Sequence, residues 1–271
     1  MINKSGNTPL VKNDELSKKF GFAVLIKDES KNPFGTFKDR RSEIIIKKAK
    51  DEQVDTLVLI TSGNAGYSLG RFSQGTKIRI VNIIDKNLKK SVKEELKKYG
   101  KIIEVNLSEK ILKPEEVISL ARQNDEEVIL DVTNRFHEGY EKIVEEIKQA
   151  NPNFIILPVG SGEAFVGFYN GIKKYRLKTK LIGVGVKDKW RSFADKLHTP
   201  WTPYKSKIQS ILKEGHKIIK LDEEEIKEAY KQYKDEFDIE PSSAVVFGVL
   251  PKLKFKKEDK IILINSGKGI I

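Results

Sequence analysis

The 271-residue chain contains no cysteine. That excludes disulfide bridges and thiolate metal sites. Histidine is scarce as well: His137, His198 and His216 are the full set, and their scatter argues against a zinc centre. No apolar run approaches the roughly 20 residues that cross a bilayer, so no membrane partner is expected. Met1-Ile2-Asn3-Lys4 reads directly into folded sequence with no signal-peptide pattern, and a soluble cytoplasmic protein is the expectation. Internal repeats, low-complexity linkers, RNA-binding aromatic motifs and zinc-finger spacings are also missing.

Positive charge, by contrast, is abundant. The formal charge is +12, from 51 Lys and Arg against 39 Asp and Glu. A basic balance raises nucleic-acid binding as a hypothesis, but lysines and glutamates alternate along residues 86–98 and 223–234. Alternation of that kind marks solvated helix faces, so no nucleic-acid partner is expected. The same field would steer an anionic small molecule, such as a phosphorylated amino acid.

Short apolar runs alternate with amphipathic stretches along most of the chain. Strands are expected at 22–26, 56–60, 78–83, 102–105, 128–131, 154–157, 180–184, 217–220 and 260–264. Helices are expected at 37–52, 65–74, 88–99, 114–123, 139–150, 164–175, 222–233 and 242–253. Several strands are apolar on both faces, which suits parallel sheets covered by helices. The expected class is therefore α/β, doubly wound, with mostly parallel sheets. The stretch 187–207, with Trp190, Trp201 and two Thr-Pro pairs, is the least regular and reads as a flap or a packed surface loop.

In the run Asn32-Pro33-Phe34-Gly35-Thr36-Phe37-Lys38-Asp39-Arg40, a Pro/Gly turn delivers Lys38 to the start of a helix continued by Ile44, Ile45 and Ile46, with Thr36 as a cap. A helix N-terminus disfavours an ammonium ion. A lysine whose neutral form is favoured can form a Schiff base. The alternative for any single lysine in so basic a chain is a solvated surface group.

The run resembles the Asn-Pro-Thr-Gly-Ser-Phe-Lys-Asp-Arg motif of the fold type II pyridoxal-phosphate (PLP) enzymes, the tryptophan synthase β superfamily. Threonine synthase is the most similar in wording, with Phe37 favouring it over cysteine synthase. Gly6-Asn7-Thr8-Pro9-Leu10, Glu138-Gly139-Tyr140-Glu141-Lys142 and Glu240-Pro241-Ser242-Ser243-Ala244 resemble further segments of that group, in family order. The resemblance implies pyridoxal 5'-phosphate as cofactor and Lys38 as its attachment point and the catalytic base. It implies two domains: a smaller, substrate-clamping one at 50–132, inserted in a larger PLP-anchoring one at 1–49 and 133–271. A homodimer is a family-level expectation.

Three loops carry the remaining candidates. Thr61-Ser62-Gly63-Asn64-Ala65-Gly66 follows a strand and opens a helix whose amides can hold an anion, although an ordinary capped Asn/Gly turn would look the same. By resemblance, residues 61–65 grip the substrate carboxylate and Asn64 also meets the cofactor's ring oxygen. Gly160-Ser161-Gly162-Glu163-Ala164 is a glycine-rich strand-to-helix turn able to present N–H groups to a phosphate. It lacks the spacing of a dinucleotide site and resembles the PLP-phosphate cup. Glu163 departs from the small or amide residue common there, and its carboxylate must avoid the phosphate or pair with a base. Asn265-Ser266-Gly267-Lys268-Gly269 lacks the flanks of a P-loop. By resemblance Ser266 meets the pyridine nitrogen and leaves it largely neutral, which favours elimination and replacement. Lys268 stands where threonine synthases carry histidine.

The expected activity is PLP-dependent elimination or replacement on an amino acid, threonine-synthase-like, converting O-phosphohomoserine to threonine and phosphate. Lys27 is a further candidate for binding the phosphorylated substrate, with a buried structural lysine as the alternative. Cysteine synthase or serine/threonine dehydratase activity, and a catalytically silent PLP-binding protein, remain open. No metal is expected.

Overall fold

The computed structural model describes residues 4–188, 192–197, 199 and 202–270. Trp190, Trp201 and His198 therefore lie outside the described residues. The chain divides into two compact units. One holds Lys38–Phe136 with short pieces from both chain ends, and the other holds Gly6–Phe37 and His137–Gly269.

The first unit is a four-stranded sheet formed by β3 (Thr56–Ile60), β4 (Arg79–Asp85), β5 (Lys101–Val105) and β6 (Ile129–Asp131). All pairs are parallel, in the order β5-β4-β3-β6. The run Thr-Leu-Val-Leu-Ile of β3 is apolar on both faces because helices cover both. Leu57 and Leu59 pack with Ile45, Ile46 and Ala49 of α2 (Lys38–Asp51) and Leu69 of α3 (Asn64–Phe72). Val58, of opposite parity, packs with Val117 and Ala121 of α5 (Pro114–Ala121). Between them in the chain, α4 (Lys90–Lys97) packs Val92 and Leu96 on Ile84. The unit starts at Lys38 rather than at residue 50, since the apolar face of α2 belongs to this core. It ends at Phe136 rather than 132, since Phe136 lies in the same cluster.

The second unit is a six-stranded sheet in the order β1-β2-β10-β7-β8-β9. Its strands are β1 (Leu10–Lys12), β2 (Ala23–Asp28), β7 (Phe154–Pro158), β8 (Lys180–Val186), β9 (Lys217–Leu221) and β10 (Lys260–Asn265). Only β1 runs antiparallel to its neighbour, β2. Residue parity again sorts the two faces. Ile155, Leu157, Ile262 and Ile264 meet α6 (Glu138–Ile147), α7 (Glu163–Lys174) and α8 (Lys205–Lys213). Ile156, Ile261 and Leu263 meet α1 (Asp14–Phe20), α9 (Glu223–Tyr233) and α10 (Pro241–Gly248). Helix α9 starts on a capping box in which Asp222 and Glu225 exchange side-chain-to-backbone bonds. Helix α10 stops at Gly248, short of the expected residue 253, and Pro251 sits in the 3-10 turn that follows. Among the described residues no helix is long and apolar enough to cross a membrane.

Candidate active site

Each sheet reverses its winding direction once, and ligands in such sheets bind beyond the strand ends at that point. In the four-stranded unit β3, β4 and β5 proceed to one side and β6 returns on the other side of β3. The loop at this reversal is residues 61–63, between β3 and α3. Thr61 extends the ladder through its N–H to Ile83 O at 3.0 Å. Its hydroxyl then caps α3, accepting from Gly63 N at 3.0 Å and Gly66 N at 3.2 Å. Gly63, the N-cap, has φ +135°, a conformation that glycine supplies without strain. Asn64 is buried at the first helical position, while Ser62 and Ala65 are half-buried.

Lys38 belongs to the same unit, half-buried as the first residue of α2. The next residue fixes it. Asp39 is fully buried, and its Oδ1 accepts from Ser68 Oγ at 2.6 Å, while Ser68 Oγ in turn accepts from Ser42 Oγ at 2.9 Å. This polar clasp joins the first turn of α2 to the middle of α3. Arg41 Nη2 adds a 2.5 Å bond to Val132 O at the end of β6. The lysine and the asparagine-bearing loop are thus placed in one frame by residues that reasoning from sequence did not single out.

In the six-stranded unit, β7, β8 and β9 proceed to one side and β10 lies on the other side of β7. Both glycine-rich loops emerge there, 159–162 after β7 and 266–269 after β10. Gly162 caps α7 with φ +87°, and a Cβ on it would lie 2.4 Å from Ile208 Cδ1. A Cβ on Gly160 would lie 3.1 Å from Lys196 O. The chain at both glycines is thus packed too closely against residues 196–197 and α8 to admit a side chain at this helix N-terminus. Ser161 is half-buried and its carbonyl accepts from Thr202 Oγ1; Glu163 and Ala164 open α7 and are both buried.

Ser266 is 4% exposed. Its N–H donates to Ser243 Oγ at 2.9 Å, and its carbonyl accepts from Phe37 N at 2.9 Å. Thr36 forms an isolated bridge with Gly267. The stem of Lys268 lies against Gly35, where a Cβ would meet its Cε at 2.7 Å. The chain immediately before Lys38 is thus laid along the β10 loop. Thr36, expected as a helix cap, lends its backbone to this bridge.

The structure corrects one assignment. Lys27 is 1% exposed, and its Nζ is held by Thr8 O at 2.5 Å and Glu146 Oε2 at 2.5 Å. It is an internal tie between β2 and α6, the buried structural lysine of the alternative reading. Next to it Glu29 accepts from Thr8 Oγ1 at 2.6 Å and Asn32 Nδ2 at 2.7 Å. The Gly-Asn-Thr-Pro-Leu segment and the start of the lysine run are therefore fastened to each other.

The family of pyridoxal-phosphate dependent enzymes matches residues 3–267, and the chain belongs to it. Its cofactor is pyridoxal 5'-phosphate. Threonine synthase of Halalkalibacterium halodurans is 26% identical over 190 residues, covering 64% of this chain and 50% of that relative. Threonine synthase of Methanocaldococcus jannaschii is 25% identical over 309 residues, covering 98% of this chain and 75% of that relative. The first match thus spans only half of the relative's length. Among solved structures, serine racemase of maize superposes with a TM-score of 0.81 at 20% identity, covering 98% of this chain and 89% of that one, a likeness of fold.

The residues present fit the cofactor. Gly160 and Gly162 keep side chains out of a turn whose amides suit a phosphate. Ser266, with its hydroxyl, follows β10, the strand beside β7. Among the described residues, no group of three or more His, Cys, Asp or Glu is arranged to hold a metal ion.

Proposed function

We propose that the chain catalyses elimination and replacement on an amino acid in the manner of a threonine synthase, taking O-phosphohomoserine to threonine and phosphate. The observation that carries this reading is the Asp39–Ser68–Ser42 clasp, which sets Lys38 and the 61–65 loop in one frame. PLP, when bound, withdraws electrons from the substrate Cα and so labilises its proton and its leaving group. In this reading Lys38 holds the cofactor and its freed amine removes and returns that proton. Residues 61–65 hold the carboxylate and Asn64 also meets the ring oxygen. The amides of 160–164 hold the phosphate, with the buried Glu163 contributing only its backbone N–H. The Ser266 hydroxyl meets the ring nitrogen.

The test is an absorption spectrum of the wild type and Lys38→Ala with saturating PLP, before and after O-phosphohomoserine. The expected result is a visible band in the wild type, none in the variant, and phosphate release that falls about 10²–10⁴-fold in the variant, the usual worth of a positioned acid–base group. No band in the wild type overturns the reading. Cysteine from O-acetylserine and sulfide, or a keto acid from serine or threonine, would move the activity to those reactions. Bound PLP with no product from any substrate would mark a silent binder.

A further inference from the structure

The four-stranded unit buries a polar side chain that its own fold leaves unanswered. Asn82, at the middle of β4, is 0% exposed, and among the described residues neither its Oδ1 nor its Nδ2 has a hydrogen-bond partner. Its same-face neighbours on the strand, Ile80 and Ile84, sit in apolar clusters. A buried polar group left unpaired costs on the order of 1–3 kcal/mol, whereas an apolar residue of that size would cover the face without the cost. Such a group in a folded core calls for an explanation.

Its surroundings supply one. A Cβ on Gly66, in the first turn of α3, would lie 2.1 Å from Asn82 Oδ1 and 2.9 Å from Thr61 Cγ2. A Cβ on Gly100 would lie 3.1 Å from Asn82 Nδ2. The amide is wedged between two glycines, and the methyl of Thr61 reaches the same glycine that Oδ1 does. Thr61 thus keeps its methyl near Asn82 while its hydroxyl accepts from the amides of Gly63 and Gly66. One step of χ1 between staggered wells can bring a threonine's hydroxyl to the place its methyl held.

We propose that Asn82 is a positioning residue for carboxylate binding at the 61–66 loop, acting through Thr61. Without ligand the Thr61 hydroxyl occupies the two amides. A carboxylate that takes over those amides releases the hydroxyl, which turns toward Asn82 and hydrogen-bonds its amide. The loop's N–H groups have an acceptor in both arrangements, whereas Asn82 is satisfied only with ligand bound. The polar residue is thereby an energetic bias toward the occupied loop. The ligand class is a small carboxylate, here that of an amino acid, and the inference rests on the reading of residues 61–65 as the carboxylate loop.

The experiment titrates the PLP-loaded full chain with L-threonine, following the visible band and the melting temperature. Asn82→Leu is expected to form the band as the wild type does and to melt at the same or a higher temperature without ligand. Its half-saturating threonine concentration rises about tenfold, the equivalent of one lost hydrogen bond, and its ligand-induced melting shift shrinks. Thr61→Val weakens binding too, and Thr61→Val with Asn82→Leu adds nothing further, the non-additivity of groups acting as one. Thr61→Ser retains tight binding. If leucine disturbs the fold, Asn82→Ala repeats the titration with no added bulk. Wild-type affinity in both Asn82 variants, with the band intact, overturns the role of Asn82 and leaves the proposed function standing. A wild type that forms no band, or does not respond to threonine, removes the loop reading and this proposal together.

Discussion

In the six-stranded unit the loop after β10 is fixed by the side chains of Asn265 and Ser243, whereas in the four-stranded unit two amides of the loop after β3 are taken by one rotatable hydroxyl, that of Thr61. Asn265, the last residue of β10, accepts from Ser243 Oγ at 2.7 Å and from Gly267 N at 3.2 Å, and donates to Asp28 Oδ1 at 2.7 Å and Asp238 O at 3.1 Å. Ser266 is then fixed through its own N–H and carbonyl. In the 61–66 loop Thr61 Oγ1 accepts from the amides of Gly63 and Gly66, and the nearby Asn82 amide has no hydrogen-bond partner among the described residues. A loop determined by several side chains keeps one shape whatever binds it. A loop whose amides are taken by a rotatable hydroxyl has a second arrangement for that hydroxyl one rotamer away. In the proposed function this contrast divides the labour: Ser266 is held still and the carboxylate loop is left adjustable.

The sharpest way to break that contrast is to jam the adjustable loop. In Gly66→Ala the added methyl meets Asn82 Oδ1 at 2.1 Å and Thr61 Cγ2 at 2.9 Å. Overpacking of this kind costs about 1–3 kcal/mol, more than the roughly 1 kcal/mol that alanine adds to a helix. In an Asn82→Ala background the closest obstruction is gone and only the Thr61 Cγ2 contact remains, so the same change becomes less costly. Thermal unfolding of the two singles and the double reads this difference. A Gly66→Ala variant equally destabilised in both backgrounds would show that Asn82 does not press on the loop. A smaller effect is expected on the fixed side. Ser243→Ala removes the acceptor of Ser266 N and a donor to Asn265. It should cost about 1–2 kcal/mol, a fall of about 2–4 °C in melting temperature per kcal/mol for a chain of this size.

Much of this architecture was legible before the structure. The β3 span 56–60 coincides with the observed strand, and the other expected strands fall within two residues at each end, because runs apolar on both faces occur here only in covered parallel sheets. What escaped was short or lightly buried. Helix α1 buries only Leu16 and α8 only Ile211, so neither shows an apolar stripe, and β1 is a three-residue edge strand. The glycine-rich loops stood out because positive φ and close backbone approach demand glycine at Gly63 and Gly162. The clasp at Asp39 and the isolation of Asn82 did not. Both depend on which residues from distant segments meet, and a polar residue inside an apolar strand reads only as a flaw in its pattern. Lys27 failed for the same reason, since its partners Thr8 and Glu146 are set by the fold.

The units also differ in how they meet acid, which gives the mildest test. In the six-stranded unit His216 is 6% exposed and its Nδ1 accepts from Leu181 N at 2.9 Å. Burial, reinforced by the charge of Lys180, pushes its pKa below the ordinary 6.5. The unfolded chain therefore binds this proton first, so the stability His216 contributes is complete above about pH 6.5 and is lost as pH falls from there through the lower folded value. In the four-stranded unit burial works to raise the Glu127 carboxyl, but hydrogen bonds from Arg79, Thr56 and Gln123 N, with the Arg79 charge, outweigh it and bring the pKa from 4.5 to about 2. That contribution is intact above about 4.5 and disappears as pH falls toward about 2. Melting temperatures measured from pH 7 downward should show His216→Gln flattening the first segment of the decline and Glu127→Gln flattening the last. Asp238, lowered by its hydrogen bond with Lys31, belongs to a half-exposed pair and adds little. If both variants instead parallel the wild type across the whole range, acid sensitivity is spread over the many surface pairs, and the two units do not differ in this respect.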